Sequence, residues 1–151
     1  MRKKQIGFSL IELLIVVAII LIIAAIAIPN LMRSKIAANQ ASAVASLRTL
    51  NTSSALFYTN YNVYPSSIAN MGTAASVTST SADLVDAVLA TGTKSGYVFS
   101  WSGGGTTGAY TIKADPVSGT TGVVHYFTNQ SFVIRSNATA AATVNDLPIG
   151  N

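Results

Sequence analysis

The chain has 151 residues, half of them hydrophobic and only 9% charged, with nine Lys and Arg, five Asp and Glu, and one His. It has no cysteine, which excludes a disulfide brace, a thiolate metal centre and covalent haem attachment. Three of the bases, Arg2, Lys3 and Lys4, crowd the amino end, and the other six, Arg33, Lys35, Arg48, Lys94, Lys113 and Arg135, are scattered. A nucleic-acid role resting on bulk charge therefore loses most of its support.

The first element is the run from Phe8 to Ile28, in which Ser9 and Glu12 are the only polar side chains. At helical rise it is about 30 Å long, enough to span a bilayer. In a secretory signal the small residue for cleavage follows the apolar run; here Gly7 precedes it, so cutting there keeps the apolar segment in the mature protein. Arg2, Lys3 and Lys4 lie on the amino side, so the positive-inside bias leaves residues 1–7 in the cytoplasm and sends everything after Pro29 across the membrane.

Glu12 is the anomaly in this segment, since an intramembrane acid is costly and usually marks function. One explanation is local: Glu12 lies about one turn from the helix start, where the dipole favours an anion. Another requires cleavage after Gly7, which creates an amine on Phe8. Opposite charges attract by about 4 kcal/mol at ~4 Å where the effective dielectric is ~20. With Phe8 and Glu12 at i, i+4 on a helix, that amine either folds back on its own carboxylate or is supplied by a neighbouring helix shifted along the axis. The second arrangement draws a new subunit into register and removes two unpaired charges from an apolar layer.

Lys4, Gly7, Phe8, Glu12 and Pro29 stand where the class III signal of type IV prepilins and the related pseudopilins has them, and over roughly its first fifty residues the chain resembles that superfamily. The resemblance implies that a membrane prepilin peptidase cuts between Gly7 and Phe8 and methylates the Phe8 amine. It further implies that Glu12 pairs with a neighbour's amino terminus during assembly. Pilin-like chains often carry a glycine between the acid and the proline, where the helix loosens; this chain has Leu21 and isoleucines there.

After Pro29, which is expected to kink the helix without ending it, no glycine or proline occurs through Tyr61. Ile36, Val44, Leu47, Phe57, Tyr58 and Tyr61 fall broadly on one helical face. The helix from Phe8 to about Tyr61 is expected to be roughly 80 Å long. Small residues in IAANQASAVAS suit close helix approach, and alanine is also simply the best helix former.

Residues 64–95 read as a connecting region with a short helix in SADLVDAVLATG, capped by Ser81 and stopped by Gly92. GYVFSW, AYTIKAD, GVVHYFTN and SFVIRSN then have strand character, with a tight Asn-Gln turn between the last two. They predict an antiparallel meander with one face covered by the carboxy half of the helix. The expected fold is α+β: a long amino-terminal helix, half membrane-spanning and half amphipathic, on an antiparallel sheet of about four strands, the pilin fold. The segments are a leader at 1–7, a transmembrane or filament-core helix at 8–29, its amphipathic half at 30–63, the connecting loop at 64–95, the sheet at 96–137 and a tail at 138–151.

Chemistry in the head is sparse. His125 is the only histidine and reads as a partly exposed strand residue. Asp83, Asp86, Asp115 and Asp146 lack the dense spacing of a calcium loop, so an ion is held only if folding gathers them. GGGTTG lacks the lysine and helix of a phosphate loop and reads as a flexible hairpin. Asn51, Asn129 and Asn137 begin Asn-x-Ser/Thr triplets, a weak signal in a Ser/Thr-rich chain. Phe57, Tyr58, Tyr61 and Tyr64 form either a stacked path for electrons or a helix-to-sheet contact, the latter favoured.

No catalytic, cofactor or metal site is assigned, and no enzyme activity is expected. The leading expectation is a major pilin, a homopolymer processed by prepilin peptidase and handled by the pilus machinery of the inner membrane. It would be held by membrane lipid before assembly and exported as a surface fibre for adhesion or motility. A type II secretion pseudopilin and a minor pilin or anchored binding module are the alternatives.

Overall fold

The computed structural model describes residues 8–106 and 108–150. It opens with α1, Leu10–Tyr61, a helix of 52 residues that runs through Pro29 without interruption. The chain divides into two units, Met1–Lys35 and Ile36–Asn151.

In the first unit, the described residues are exposed throughout, apart from half-buried Ala24. Pro29 offers no N–H to the preceding turn; the next residue adds a donor, with Asn30 Nδ2 bonding the Ile26 carbonyl at 3.2 Å. Ser34 Oγ similarly bonds the Asn30 carbonyl at 3.0 Å. The stretch from Leu21 to Pro29 is helical at every residue.

In the second unit, α1 buries Ala43, Ser46, Leu47, Leu50, Asn51, Ser53, Ser54 and Phe57. Their spacing follows the helical period, so one stripe faces the sheet. The expected face was correct at Leu47 and Phe57, while Tyr58 is 42% exposed. Part of the small-residue stripe is used here, since Ala43 and Ser46 are buried; beyond it, Ser53 and Ser54 are buried against Leu84 and Met71 of the connecting region. Asn62, at φ 57°, closes the helix by donating its N–H to the Tyr58 carbonyl.

The sheet has five antiparallel strands in sequential order: β1 Thr93–Lys94, β2 Tyr97–Gly103, β3 Tyr110–Pro116, β4 His125–Asn129 and β5 Arg135–Asn137. Alternation turns Tyr97, Phe99, Tyr110, Ile112, Ala114 and Tyr126 into the core with Leu47, Leu50, Phe57 and Met71. Each fully buried large apolar side chain contributes about 1.5–3 kcal/mol.

β1 was not expected. It forms because Ser95 and Gly96, at φ 50° and 74°, make a two-residue turn that sets Lys94 opposite Tyr97. A Cβ at position 96 would strike Thr121, so the turn also fits under the β3–β4 connection.

Two other expectations are corrected. The short helix is α2, Ala87–Ala90, capped by Asp86 and not by Ser81: Asp86 Oδ1 accepts the Leu89 N–H at 2.9 Å. Ser81 instead bridges Thr78, and Asp83, at φ 52°, breaks any earlier helical turn. The last strand is also shorter than SFVIRSN. Asn129 Oδ1 takes both the N–H and the hydroxyl of Ser131, which holds Phe132 at φ 61° and delays pairing until Arg135.

A small polar cluster ties helix to sheet inside the core. Asn51 Nδ2 donates to Thr128 Oγ1 at 3.0 Å, and the Tyr110 hydroxyl donates to Asn51 Oδ1 at 3.4 Å. Ser54 Oγ bonds the Leu50 carbonyl and Ser53 Oγ bonds the Leu84 carbonyl. Burial pushes the Tyr110 hydroxyl up to about 12, and burial likewise pushes Tyr97 to about 12. Both phenols therefore remain neutral donors at ordinary pH.

The tail is fastened to the head. Asp146 accepts the Thr143 N–H at 2.6 Å, the Thr143 hydroxyl at 2.8 Å and Asn137 Nδ2 at 2.8 Å. Arg135 Nη1 bonds the Asp146 carbonyl at 2.7 Å, the Ser136 N–H donates to the Leu147 carbonyl, and the Ile149 N–H donates to the Ile134 carbonyl. The Thr143 contacts, followed by Asn137, hold the Asp146 carboxyl below its ordinary value of 3.8. Phe127, turned away from the main core, is covered all the same and lines a cavity with Val144.

Candidate assembly segment

The amino-terminal half of α1 presents apolar side chains on every side. Leu10, Ile11, Leu13, Leu14, Ile20, Leu21 and Ile22 are all exposed, and Phe8 is 84% exposed. The helix is long and apolar enough to cross a membrane, and its most apolar stretch has nothing buried within the chain. Side chains of this kind are stable only where lipid or another protein surface covers them.

Glu12 lies in the first turn of α1. Its Oε2 accepts the backbone N–H of Ser9 at 2.9 Å. Ser9, Leu10, Ile11 and Glu12 read Ser-x-x-Glu, the pattern in which an acid at the third helical position caps the backbone just before the helix. That signal was available in the sequence. It also changes the geometry expected for Phe8: α1 begins at Leu10, so Phe8 precedes the helix and does not sit one helical turn above Glu12. The carboxylate bends back to the residue after Phe8. Gly7, Lys4 and the rest of the leader fall outside the described residues.

The other candidates resolve into local roles. His125 Nδ1 meets Asp115 Oδ1 at 2.6 Å across β3 and β4, with both side chains partly exposed. Asp86 caps α2 and pairs with Lys94 at 2.9 Å; the Leu89 N–H, then Lys94, lower its pKa. The aspartates are thus dispersed, and among the described residues no three metal-ligating side chains come together.

The glycine tract is held in place: Gly105 N–H bonds the Tyr64 carbonyl at 2.8 Å. Gly104, at φ 85°, packs so tightly on the Pro65 carbonyl that a Cβ would overlap it. Asn51 is buried in the polar cluster, and the Asn129 and Asn137 side chains organise turns. The rings of Trp101, Tyr110, Tyr64 and Tyr58 follow one another at 4.6–4.8 Å, with Trp101 stacked on Tyr110 at 8°. Tyr110 is buried, so this succession belongs to the packing of the head.

A family model described as the prokaryotic N-terminal methylation motif matches residues 2–28. Its span covers the apolar segment and Glu12. The amino-terminal segment of the chain therefore carries that motif.

Relatives point further. The chain is 47% identical over 58 residues to the type IV major pilin protein PilA of Myxococcus xanthus, covering 38% of this chain and 26% of the relative. It is 34% identical over 64 residues to the type II secretion system core protein G of Aeromonas hydrophila, covering 42% and 45%. The corresponding protein of Vibrio cholerae is 36% identical over 63 residues, covering 42% and 43%. The amino-terminal segment is thus similar to that of a type IV pilin and of type II secretion core proteins, and the chain matches less than half the length of each of these relatives.

Proposed function

We propose that this chain is a structural subunit, a major pilin, that polymerises into a type IV pilus and catalyses no reaction. The observation that carries the proposal is the uncovered apolar segment of α1 with Glu12 as its single acid, lying within the methylation motif. Before assembly the segment rests in the inner membrane as a single span with its amino end in the cytoplasm. Prepilin peptidase cuts between Gly7 and Phe8 and methylates the new amine.

In the filament the apolar helices form a shared core with the heads outside, and a kink at Pro29 adjusts the helix to its neighbours. Glu12 gives up or shares its Ser9 bond to meet the Phe8 amine of another subunit. Contacts between unlike surfaces, repeated without closure, produce a helical fibre. Adhesion and motility are the surface roles such a fibre serves.

The matches to core protein G support a second reading, a pseudopilin that builds a short periplasmic fibre. Electron microscopy of sheared surface material separates the two, because long fibres at ordinary expression fit only the pilus. Abundance separates both from a minor pilin or anchored binding module, which would be rare compared with the fibre mass. Replacing Glu12 by Ala is expected to leave processing intact, seen as a mature mass beginning at methylated Phe8, while abolishing filaments. Normal fibres from that variant would sink the charge-pair mechanism.

A further inference from the structure

The fold treats the asparagines of the three Asn-x-Ser/Thr triplets differently. Asn51 is buried within α1 with its Nδ2 on Thr128 Oγ1, so no bulky group can be attached to it. Asn137 is half-buried, and Asp146 Oδ1 holds its Nδ2 at 2.8 Å. Asn129 is half-buried at the end of β4, and among the described residues its Nδ2 has no partner.

The Asn129 side chain is fixed all the same. Its Oδ1 accepts the Ser131 N–H at 3.0 Å and the Ser131 hydroxyl at 2.6 Å. A backbone N–H can only donate, so the oxygen of the amide must face Ser131, and the nitrogen is left free. Two donors on the oxygen draw electron density toward it, which makes an Nδ2 proton easier to remove. Asn137 is the internal control: its Oδ1 likewise accepts the Thr139 N–H and hydroxyl, at 2.9 and 3.1 Å, but its nitrogen is occupied. The turn after Asn129 is closed by the Phe132 N–H on the Asn129 carbonyl at 2.9 Å, and residues 130–132 are exposed.

Asn129 also lines an open groove of about 390 Å³ with Ser102, Thr111, Phe127, Gln130 and Val144. None of the described residues that line it is charged. Neutral hydroxyls and amides around Phe127 and Val144 suit a sugar ring, which carries hydroxyls at its edge and C–H groups on its faces.

We propose that Asn129 is an N-glycosylation acceptor and that the first sugar of the glycan lies in this groove. The donor is a sugar diphosphate, carried on a polyprenyl lipid or on a nucleotide. Asn129 Nδ2 bonds to the anomeric carbon of the sugar as the bond from that carbon to the diphosphate oxygen breaks. The Nδ2 proton passes to a base of the transferase, and the electron pair leaves with the diphosphate. The proposal concerns the head alone and stands or falls apart from the polymer reading.

The test is peptide mapping by mass spectrometry of the subunit from its own cells. The peptide holding Asn129 is expected to be heavier than its sequence by at least one sugar residue, with fragmentation assigning the sugar to Asn129. Peptides holding Asn51 and Asn137 are expected without sugar. Ser131→Ala removes the hydroxyl and keeps the backbone N–H, and should lower occupancy at Asn129 by about tenfold, the worth of one hydrogen bond. Ser131→Thr should retain it, and circular dichroism should show both variants folded.

Unmodified chain from a heterologous host, incubated with membranes or with the soluble fraction of the native cells, tells the two carriers apart. Sugar transfer by the membranes identifies the lipid, and transfer by the soluble fraction the nucleotide. An unmodified Asn129 in the native subunit overturns the proposal. So does sugar on Asn51, Asn137 or the Ser131 hydroxyl in its place, or full occupancy in Ser131→Ala.

Discussion

The two units of this chain satisfy their side chains by opposite means. In residues 36–151, buried polar side chains find partners inside the unit, as Asn51 meets Thr128, Ser53 meets Leu84, and Ser54 meets Leu50. In residues 8–35, the apolar side chains have no such cover, and Leu21 and Ile22 are each 63% exposed. Both units use regular structure, so hydrogen bonding of the backbone is not what separates them. The difference lies in where the apolar surface is to be hidden. The head carries its own solution in its sequence, whereas the first unit is complete only in the company of lipid or other chains.

The contrast is tested most severely by separating the units. Residues 36–151 produced alone are expected to be soluble without detergent and to unfold in one cooperative transition, while the full chain partitions entirely into detergent. Circular dichroism and phase partitioning read both results. A truncated head that aggregates or lacks a transition would show that the self-sufficiency assigned to it is wrong.

Within the head, Leu50→Ala removes a side chain with no exposed surface and is expected to cost about 2–5 kcal/mol in denaturant unfolding. Leu21→Ala, in the other unit, should leave that transition unchanged. Asn51→Ala deprives Thr128 and Tyr110 of a shared partner and should cost about 1–3 kcal/mol, with Thr128→Val in the same background recovering part of it.

The smallest effect is expected at the tail. Asp146 has a folded-state pKa below 3.8, so its contribution is complete above that value and is lost as pH falls through the lower folded value. Amide exchange at Ser136 and Ile149, taken relative to the intrinsic rate at each pH, should therefore quicken in acid. Asp146→Asn should quicken it at neutral pH and flatten the acid dependence.

Much of this was legible in the sequence, and the limits have physical causes. Alternation in YVFSW and YTIKA identified two strands because each residue's face is decided by its immediate neighbours. β1 escaped notice because two residues cannot alternate, although Ser95-Gly96 was a turn signal in plain view. Phe132 looked like strand content, yet a local contest between Asn129's side chain and the backbone ladder decided its conformation. The Asp115–His125 pair depends on the register of β3 against β4, which no short-range pattern specifies. At the candidate site, Glu12 was conspicuous because an acid is rare among isoleucines. Its bond to the Ser9 N–H follows from the Ser-x-x-Glu spacing, a local signal that the surrounding apolar run masks.

The fastening of the tail has a consequence for biogenesis. A covalent clip requires an electron acceptor and, in practice, a catalyst that pairs the right thiols. The knot around Asp146 needs neither: it forms at the rate at which residues 137–149 meet β5, and a misplaced attempt can be undone without breaking a bond. Closure of this head is therefore a folding event with no chemical step, indifferent to the redox state of its surroundings. The chain can close its head without drawing on oxidative folding machinery.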